Sequence, residues 1–125
     1  MRVNPRVLGL VAAVAVGAGG PAAALGHGSG RLVGNPRAGR PMFVTTCGVC
    51  HTLRAAGTIE TSGPDLDAVS LTELQIITAV SKGGAAVMPR AAAARFTTQM
   101  VPYGGVLTKA QIDDVAAFVY AATRR

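Results

Sequence analysis

Both cysteines of the chain and one of its two histidines fall within five consecutive residues, Cys47-Gly48-Val49-Cys50-His51. On a helix, residues three and four positions apart share one face, so two sulfur atoms and one imidazole would lie on the same side. Two cysteines at this spacing with a histidine directly after the second are the attachment signature of a c-type haem. The motif predicts one covalently bound haem per chain, attached through Cys47 and Cys50, with His51 as an iron ligand.

Residues 1–24 predict a secretory signal peptide. Arg2 and Arg6 give a positive start, residues 7–18 are apolar, and the small residues 21–24 suit cleavage. An uncleaved membrane anchor is the alternative, because the apolar stretch nearly reaches the length that spans a bilayer. Its glycines and its proline would weaken a membrane-spanning helix, so cleavage is the favoured prediction. In both cases we expect the folded part to lie outside the cytoplasm, in the periplasm or at the outer face of the cytoplasmic membrane.

The part of the chain after the signal is small. It has roughly 100 residues, with two tyrosines, three phenylalanines and no tryptophan. A domain of this size often needs a bound cofactor to complete its core, and a haem would supply a large apolar plate. Residues 25–34 are rich in glycine and predict a flexible linker, in which we expect His27 to face solvent. Residues 35–125 then form one domain.

The net charge is weakly basic. The full chain carries +6, and removing Arg2 and Arg6 leaves ten basic residues against six acidic ones, or +4. Nucleic-acid binding is not expected, because no run of lysine or arginine with interleaved aromatic residues occurs. A weakly basic surface would suit an acidic protein partner. The candidate docking charges are Lys82, Arg90, Arg95 and Lys109.

Two helices are predicted at the ends of this domain. The first follows an N-cap at Asn35, begins at Pro36 or at Pro41, and runs into Cys47. The last spans 108–123 and begins with a capping box formed by Thr108 and Gln111. Its apolar periodicity predicts a buried face, whose phenylalanine we expect to pack on Phe43. The predicted face consists of Ile112, Val115, Phe118 and Val119.

A third helix is predicted over 70–82. Ser70 and Glu73 fit a capping box, and Gly83 suits the residue that ends a helix. Its apolar residues recur about every third position and predict one buried stripe. The predicted stripe consists of Leu71, Leu74, Ile77 and Val80. Residues 52–63 lack clear periodicity and predict a loop, and the long segment 83–105 predicts a second loop.

The turn at 62–66 predicts a partner for His51. A proline turn followed by an apolar anchor would form a wall beside the haem. A haem-ligating histidine needs its other ring nitrogen held by an acceptor, which fixes the tautomer and the orientation of the ring. We expect the Pro64 carbonyl, or one close to it, to orient His51.

In this order, the motifs resemble those of the class I (monohaem) cytochromes c. The resemblance covers most of the chain after the signal, and its haem motif is highly specific. It implies an all-α fold, the small cytochrome c fold, with about four short helices around one covalently bound haem. The matching segments are Gly39-x-x-x-Phe43-x-x-x-Cys47, Cys47-x-x-Cys50-His51, Gly63-Pro64-x-Leu66, residues 100–108 and residues 115–119.

The resemblance leaves two candidates for the sixth iron ligand. Met100 stands at the family's distance from the start of the last helix, whereas Met88-Pro89 has the family's usual Met-Pro dipeptide. Residues 90–99 then resemble an insertion between two half-matches. A thioether is a soft ligand that favours Fe(II) over Fe(III). We assign the position to Met100, because the helix start fixes its place, and expect Met88 to fill a gap in the core.

Two axial ligands would leave the iron no open position. The resulting expectation is a one-electron carrier and not an enzyme. We expect a monomer that serves an extracytoplasmic electron-transport chain, with a membrane oxidase or reductase, or a dehydrogenase, as redox partner.

Two other classes stay open. A haem-based sensor or peroxidase-like protein would have an open sixth position. A thiol–disulfide oxidoreductase would use Cys47 and Cys50 without haem, but it would normally adjoin a βαβ pattern, and no such pattern is apparent. A zinc site lacks a suitable fourth ligand.

Overall fold

A computed structural model describes residues 30–124 of the chain. The predicted signal peptide or anchor (1–24) and His27 lie outside the described residues. No helix within 30–124 is long and apolar enough to cross a membrane.

Four α-helices dominate residues 30–124, and a small two-stranded sheet completes them. The helices are α1 (Pro36–Met42), α2 (Glu73–Lys82), α3 (Arg90–Ala93) and α4 (Lys109–Thr123). The antiparallel strands β1 (Thr52–Leu53) and β2 (Thr58–Ile59) pair Thr52 with Ile59 and Leu53 with Thr58. The prediction of an all-α fold with about four short helices is confirmed.

The sheet corrects the prediction of a loop over residues 52–63. Gly57 turns the chain between the strands with a φ of 73°, a conformation that glycine adopts at little cost. Each strand has only two residues, which is too short to produce an alternating pattern in the sequence.

Helix α1 begins at Pro36, so the choice between Pro36 and Pro41 is resolved in favour of the earlier start. The Asn35 side chain caps it by accepting a hydrogen bond from the Arg37 N–H, as predicted. Pro41 lies inside the helix and has no N–H to donate. Just after it, the helix widens into a π-helix over Phe43–Cys47. This continuation carries Cys47 to the end of the helical segment.

Helices α1 and α4 cross at close range and bury the centre of the core. Phe43 and Phe118 pack with their ring centroids 5.7 Å apart and their planes tilted by 60°, a favourable edge-to-face type of contact. The predicted apolar face of the last helix is confirmed, because its four residues are all buried. The predicted capping box of Thr108 with Gln111 is also present.

The predicted start of α2 is wrong by about two residues. Thr72, not Ser70, is the N-cap, and its capping box is completed by Gln75. The Glu73 carboxylate instead accepts a hydrogen bond of 2.9 Å from the Val33 N–H. The predicted C-terminal stop at Gly83 is confirmed, with a φ of 93°.

The buried stripe of α2 is correspondingly rotated from its predicted position. Ile76, Ala79 and Val80 are its buried residues, which follow the i, i+3, i+4 spacing of one helical face. Leu74, predicted inside, is 70% exposed. Of the predicted stripe, only Val80 is therefore fully buried. Ile77, and Leu71 just before the helix, are half-buried.

Candidate haem site

Cys47, Cys50 and His51 come together at a cavity of about 530 Å³. The Cys50 and His51 N–H groups both donate to the Cys47 carbonyl, at 3.1 and 3.0 Å, so the chain makes a tight turn at the end of the π-helix. Both cysteines are unpaired and half-buried, and His51 is 8% exposed. Two free thiols and one buried imidazole thus share one wall, as the spacing predicted.

One ring nitrogen of His51 is held by the backbone. Its Nδ1 lies 2.8 Å from the Pro64 carbonyl oxygen. Because a carbonyl can only accept, Nδ1 carries a proton, and in the neutral ring Nε2 then keeps its lone pair. An imidazole in this tautomer is suited to ligate a metal through Nε2.

Gly63 allows the turn to approach the His51 ring. Its N–H donates to the Cys50 carbonyl at 2.7 Å, which ties the turn to the cysteine motif. A Cβ added to Gly63 would lie 2.8 Å from His51 Cε1 and 3.0 Å from Nδ1. A side chain here would displace the ring or the turn, so glycine at this position preserves the contact with Pro64.

Met100 lies on another part of the cavity wall, on a segment attached to the end of α2. The Gly84 N–H donates to the Met100 carbonyl at 3.2 Å, and the Tyr103 N–H donates to the Val80 carbonyl at 2.8 Å. The Gly104 N–H donates to Ser81 at 3.1 Å. Met100 also packs against the buried core. Backbone hydrogen bonds at Met100 and at residues 103 and 104 therefore hold the segment that carries this thioether.

The cavity fits a large apolar plate. Its volume falls in the range of sites for small molecules and cofactors, and among the described residues no Asp, Glu, Lys or Arg lines it. No group of three or more His, Cys, Asp or Glu residues within 30–124 could hold a bare metal ion. Apolar side chains from three helical segments contribute, among them Phe43, Ile76, Val80, Val115 and Val119. Two thiols, a histidine and two methionines at an apolar cavity match the needs of a covalently attached haem.

The segment 90–99 contributes to this wall, which the sequence did not predict. Ala92, Ala93 and Phe96 all line the cavity. The sequence signal was present in the run of four alanines, with Phe96 two residues beyond it, but its placement depends on how the loop folds back over the cavity. The segment treated as an insertion is therefore part of the site.

The Cys47 thiol does not have the properties of a reactive cysteine. Burial, followed by the charge of Cys50, raises the pKa of Cys47 to about 11. Reactive cysteines in thiol–disulfide oxidoreductases have the opposite shift, because the thiolate is the nucleophile. The direction of this pKa disfavours the oxidoreductase alternative.

An all-α fold around an apolar cavity with two thiols and a histidine defines a haem-binding protein of the c type. A family model described as Cytochrome c matches residues 36–122. The chain belongs to the cytochrome c family, and it carries covalently bound haem c, with Cys47 and Cys50 at the attachment positions.

A solved structure has a similar fold. It is the c-type cytochrome SorU from Sinorhizobium meliloti, with a TM-score of 0.50 and 24% sequence identity. The match covers 70% of this chain and 90% of that one. No curated protein matches the chain.

Proposed function

We propose that this protein is a one-electron carrier, with His51 and Met100 as the axial ligands of its haem iron. The observation that carries the proposal is the pair of fixed donors at one cavity. His51 is held through the 2.8 Å contact of Nδ1 with Pro64. Met100 lies on a segment hydrogen-bonded to α2. Two ligands fixed in this way would leave no open iron position for a substrate.

The protein's own residues tune the site for electron transfer. When bound, the haem iron supplies one-electron chemistry by alternating between its ferrous and ferric states. Pro64 orients the His51 ring by accepting a hydrogen bond from its Nδ1–H. The Met100 thioether and the apolar wall both favour the less charged ferrous state. Because backbone contacts hold His51 and the segment that carries Met100, little rearrangement would accompany the change of charge.

Two variants test the ligand assignment. In the haem-loaded protein, Met88→Leu should leave the thioether-to-ferric-iron charge-transfer band and the reduction potential at wild-type values. Met100→His should abolish the band and lower the potential, because imidazole stabilises ferric iron better than a thioether does. Loss of the band in Met88→Leu alone would reverse the assignment. Met42→Leu is the matched control, since Met42 packs against the core and is not among the residues that line the cavity.

Carbon monoxide distinguishes the carrier from a sensor or a peroxidase-like protein. A reduced carrier with both axial positions filled should bind carbon monoxide slowly and weakly. Rapid, stoichiometric binding by the wild-type reduced protein would instead identify an open sixth position. The same sample should show no peroxidase activity above that of free haem.

The proposed partner is an acidic redox protein, such as a membrane oxidase or reductase, or a dehydrogenase. No Asp or Glu occurs from residue 74 to residue 112, the part of the chain that carries both cavity-lining methionines. Lys82, Arg90 and Arg95 are exposed there. The fourth base, Lys109, forms a salt bridge with Asp113, which offsets its charge. The proposed docking surface therefore consists of Lys82, Arg90 and Arg95, three of the four charges predicted from the sequence.

We propose that the protein acts as a monomer outside the cytoplasm, after cleavage of residues 1–24. Covalent haem attachment and the signal-like composition of the N-terminus support this proposal. Mass spectrometry of the purified haem protein should give the mass of a chain that begins near residue 25, plus one haem. An intact chain found in the membrane fraction would identify the anchored alternative.

A further inference from the structure

Two sulfur-bearing side chains line the cavity from the loop between α2 and α4. Met88 and Met100 both contribute to the cavity wall, and the proposed function uses only Met100. Met88 was expected to fill a gap in the core. Among residues 30–124, however, Met100 belongs to the set packed against the core cluster and Met88 does not. A half-buried thioether facing an apolar cavity without packing on the core calls for another explanation.

The backbones of both methionines are hydrogen-bonded to Gly84. The Met88 N–H donates to the Gly84 carbonyl at 3.1 Å, and the Gly84 N–H donates to the Met100 carbonyl at 3.2 Å. A Cβ added to Gly84 would lie 3.2 Å from Met100 Cβ and 3.8 Å from its sulfur. Gly84 thus brings the two methionine backbones to one edge of the cavity, directly after α2.

The two methionines are nevertheless independent of each other along the chain. Residues 89–99 separate them and include α3, so a movement of the Met100 segment need not displace Met88. Met88 follows the short 3₁₀ turn Gly84–Ala86, whose hydrogen bonds hold its backbone. Its side chain is unbranched with three rotatable bonds, which gives the sulfur a wide reach within the cavity.

We propose that Met88 is a second thioether donor, which ligates the haem iron when Met100 is removed or displaced. On displacement, the iron–sulfur bond of Met100 would break and that of Met88 would form; with Met100 removed, only the Met88 bond would form. Neither case would transfer an electron or a proton. This inference rests on the proposed function, because it requires bound haem with Met100 as the resident ligand. It makes the segment 84–100 a loop with two alternative ligands.

The test uses the haem-loaded protein with Met100→Leu, Met100→Ala, Met88→Leu and the double variant Met88→Leu/Met100→Leu. Met100→Leu and Met100→Ala should retain a thioether charge-transfer band, while the double variant should lose it. Imidazole should bind the ferric Met100→Leu protein about tenfold more weakly than the double variant, because it must compete with Met88. Met42→Leu should match wild type in both measurements, and circular dichroism establishes that each variant is folded.

The inference is overturned if Met100→Leu and Met100→Ala lose the band as completely as the double variant and bind imidazole equally well. That result would leave the assignment of Met100 intact. Loss of the band in Met88→Leu alone would contradict the proposed function instead, so the two failures are distinguishable.

Discussion

A Cβ atom added to Gly39 would clash with the backbone carbonyl oxygen of Asp114. The same aspartate also contacts the start of α1, because its carboxylate accepts a 2.7 Å hydrogen bond from the Asn35 N–H. This close crossing of α1 and α4 brings Phe43 and Val115, both of which line the cavity, into one core. The haem site therefore depends on a helix contact that only glycine permits.

Gly39→Ala should destabilise the protein by about 3 kcal/mol, through overpacking at the helix crossing. This loss is net of the gain in helix propensity, because alanine is the better helix former by up to about 1 kcal/mol. Denaturant titration of the haem-loaded protein measures the effect as a lower midpoint. Gly105→Ala is the control, because nothing lies within 4 Å of a Cβ at that position. Equal midpoints for the two variants would refute the steric argument.

Thr72→Ala should destabilise the protein by about 1 kcal/mol, whereas Ser70→Ala should have almost no effect. Thr72 Oγ1 accepts the Gln75 N–H at 3.2 Å, and Gln75 Oε1 accepts the Thr72 N–H at 2.9 Å. Removing an N-cap hydroxyl costs on this order, because a helix N–H loses its acceptor. Thermal unfolding of both variants compares the true cap with the predicted one. A larger loss for Ser70→Ala would contradict the observed start of α2.

The features predictable from sequence are those set by short-range rules. The cap at Asn35 and the capping box of Thr108 depend on residues two or three positions away. The spacing of Cys47, Cys50 and His51 similarly requires only one helical turn. The contact of Phe43 with Phe118 was predictable, because both aromatic residues lie on helices with clear apolar faces.

The features that were missed depend on contacts distant in sequence. Two overlapping patterns near the start of α2 both fit a capping box. In the structure Thr72 and Gln75 form the box, and Glu73 accepts a hydrogen bond from Val33, 40 residues away. The cavity-lining role of Phe96 depends on how the loop folds back over the site. Val33 carries no local signal for its contact, and the alanine run before Phe96 does not by itself show where the loop folds.

Gly63→Ala should alter the haem site with little effect on the rest of the fold. Its added methyl would lie within 3.0 Å of the His51 ring and should weaken the hydrogen bond from Nδ1 to Pro64. Loss of such a supporting contact typically lowers metal affinity or activity by about 10- to 100-fold. We expect a lower tolerance of the His51–iron bond to acid, measured as a rise in the pH at which the low-spin spectrum is lost. Unchanged acid titration relative to Gly105→Ala would show that this hydrogen bond has no such role.

Arg90→Gln/Arg95→Gln should slow oxidation of the reduced protein by ferricyanide, an anionic oxidant, by about three- to tenfold at low ionic strength. Both arginines are exposed on the segment whose Ala92, Ala93 and Phe96 line the cavity. Stopped-flow rates should converge with wild type near 1 M salt, where the Debye length falls to about 3 Å. Arg31→Gln/Arg37→Gln removes the same charge from exposed positions outside the cavity wall, and it should have a much smaller effect. Equal slowing by the two double variants would mean that net charge, and not a local docking surface, governs the encounter.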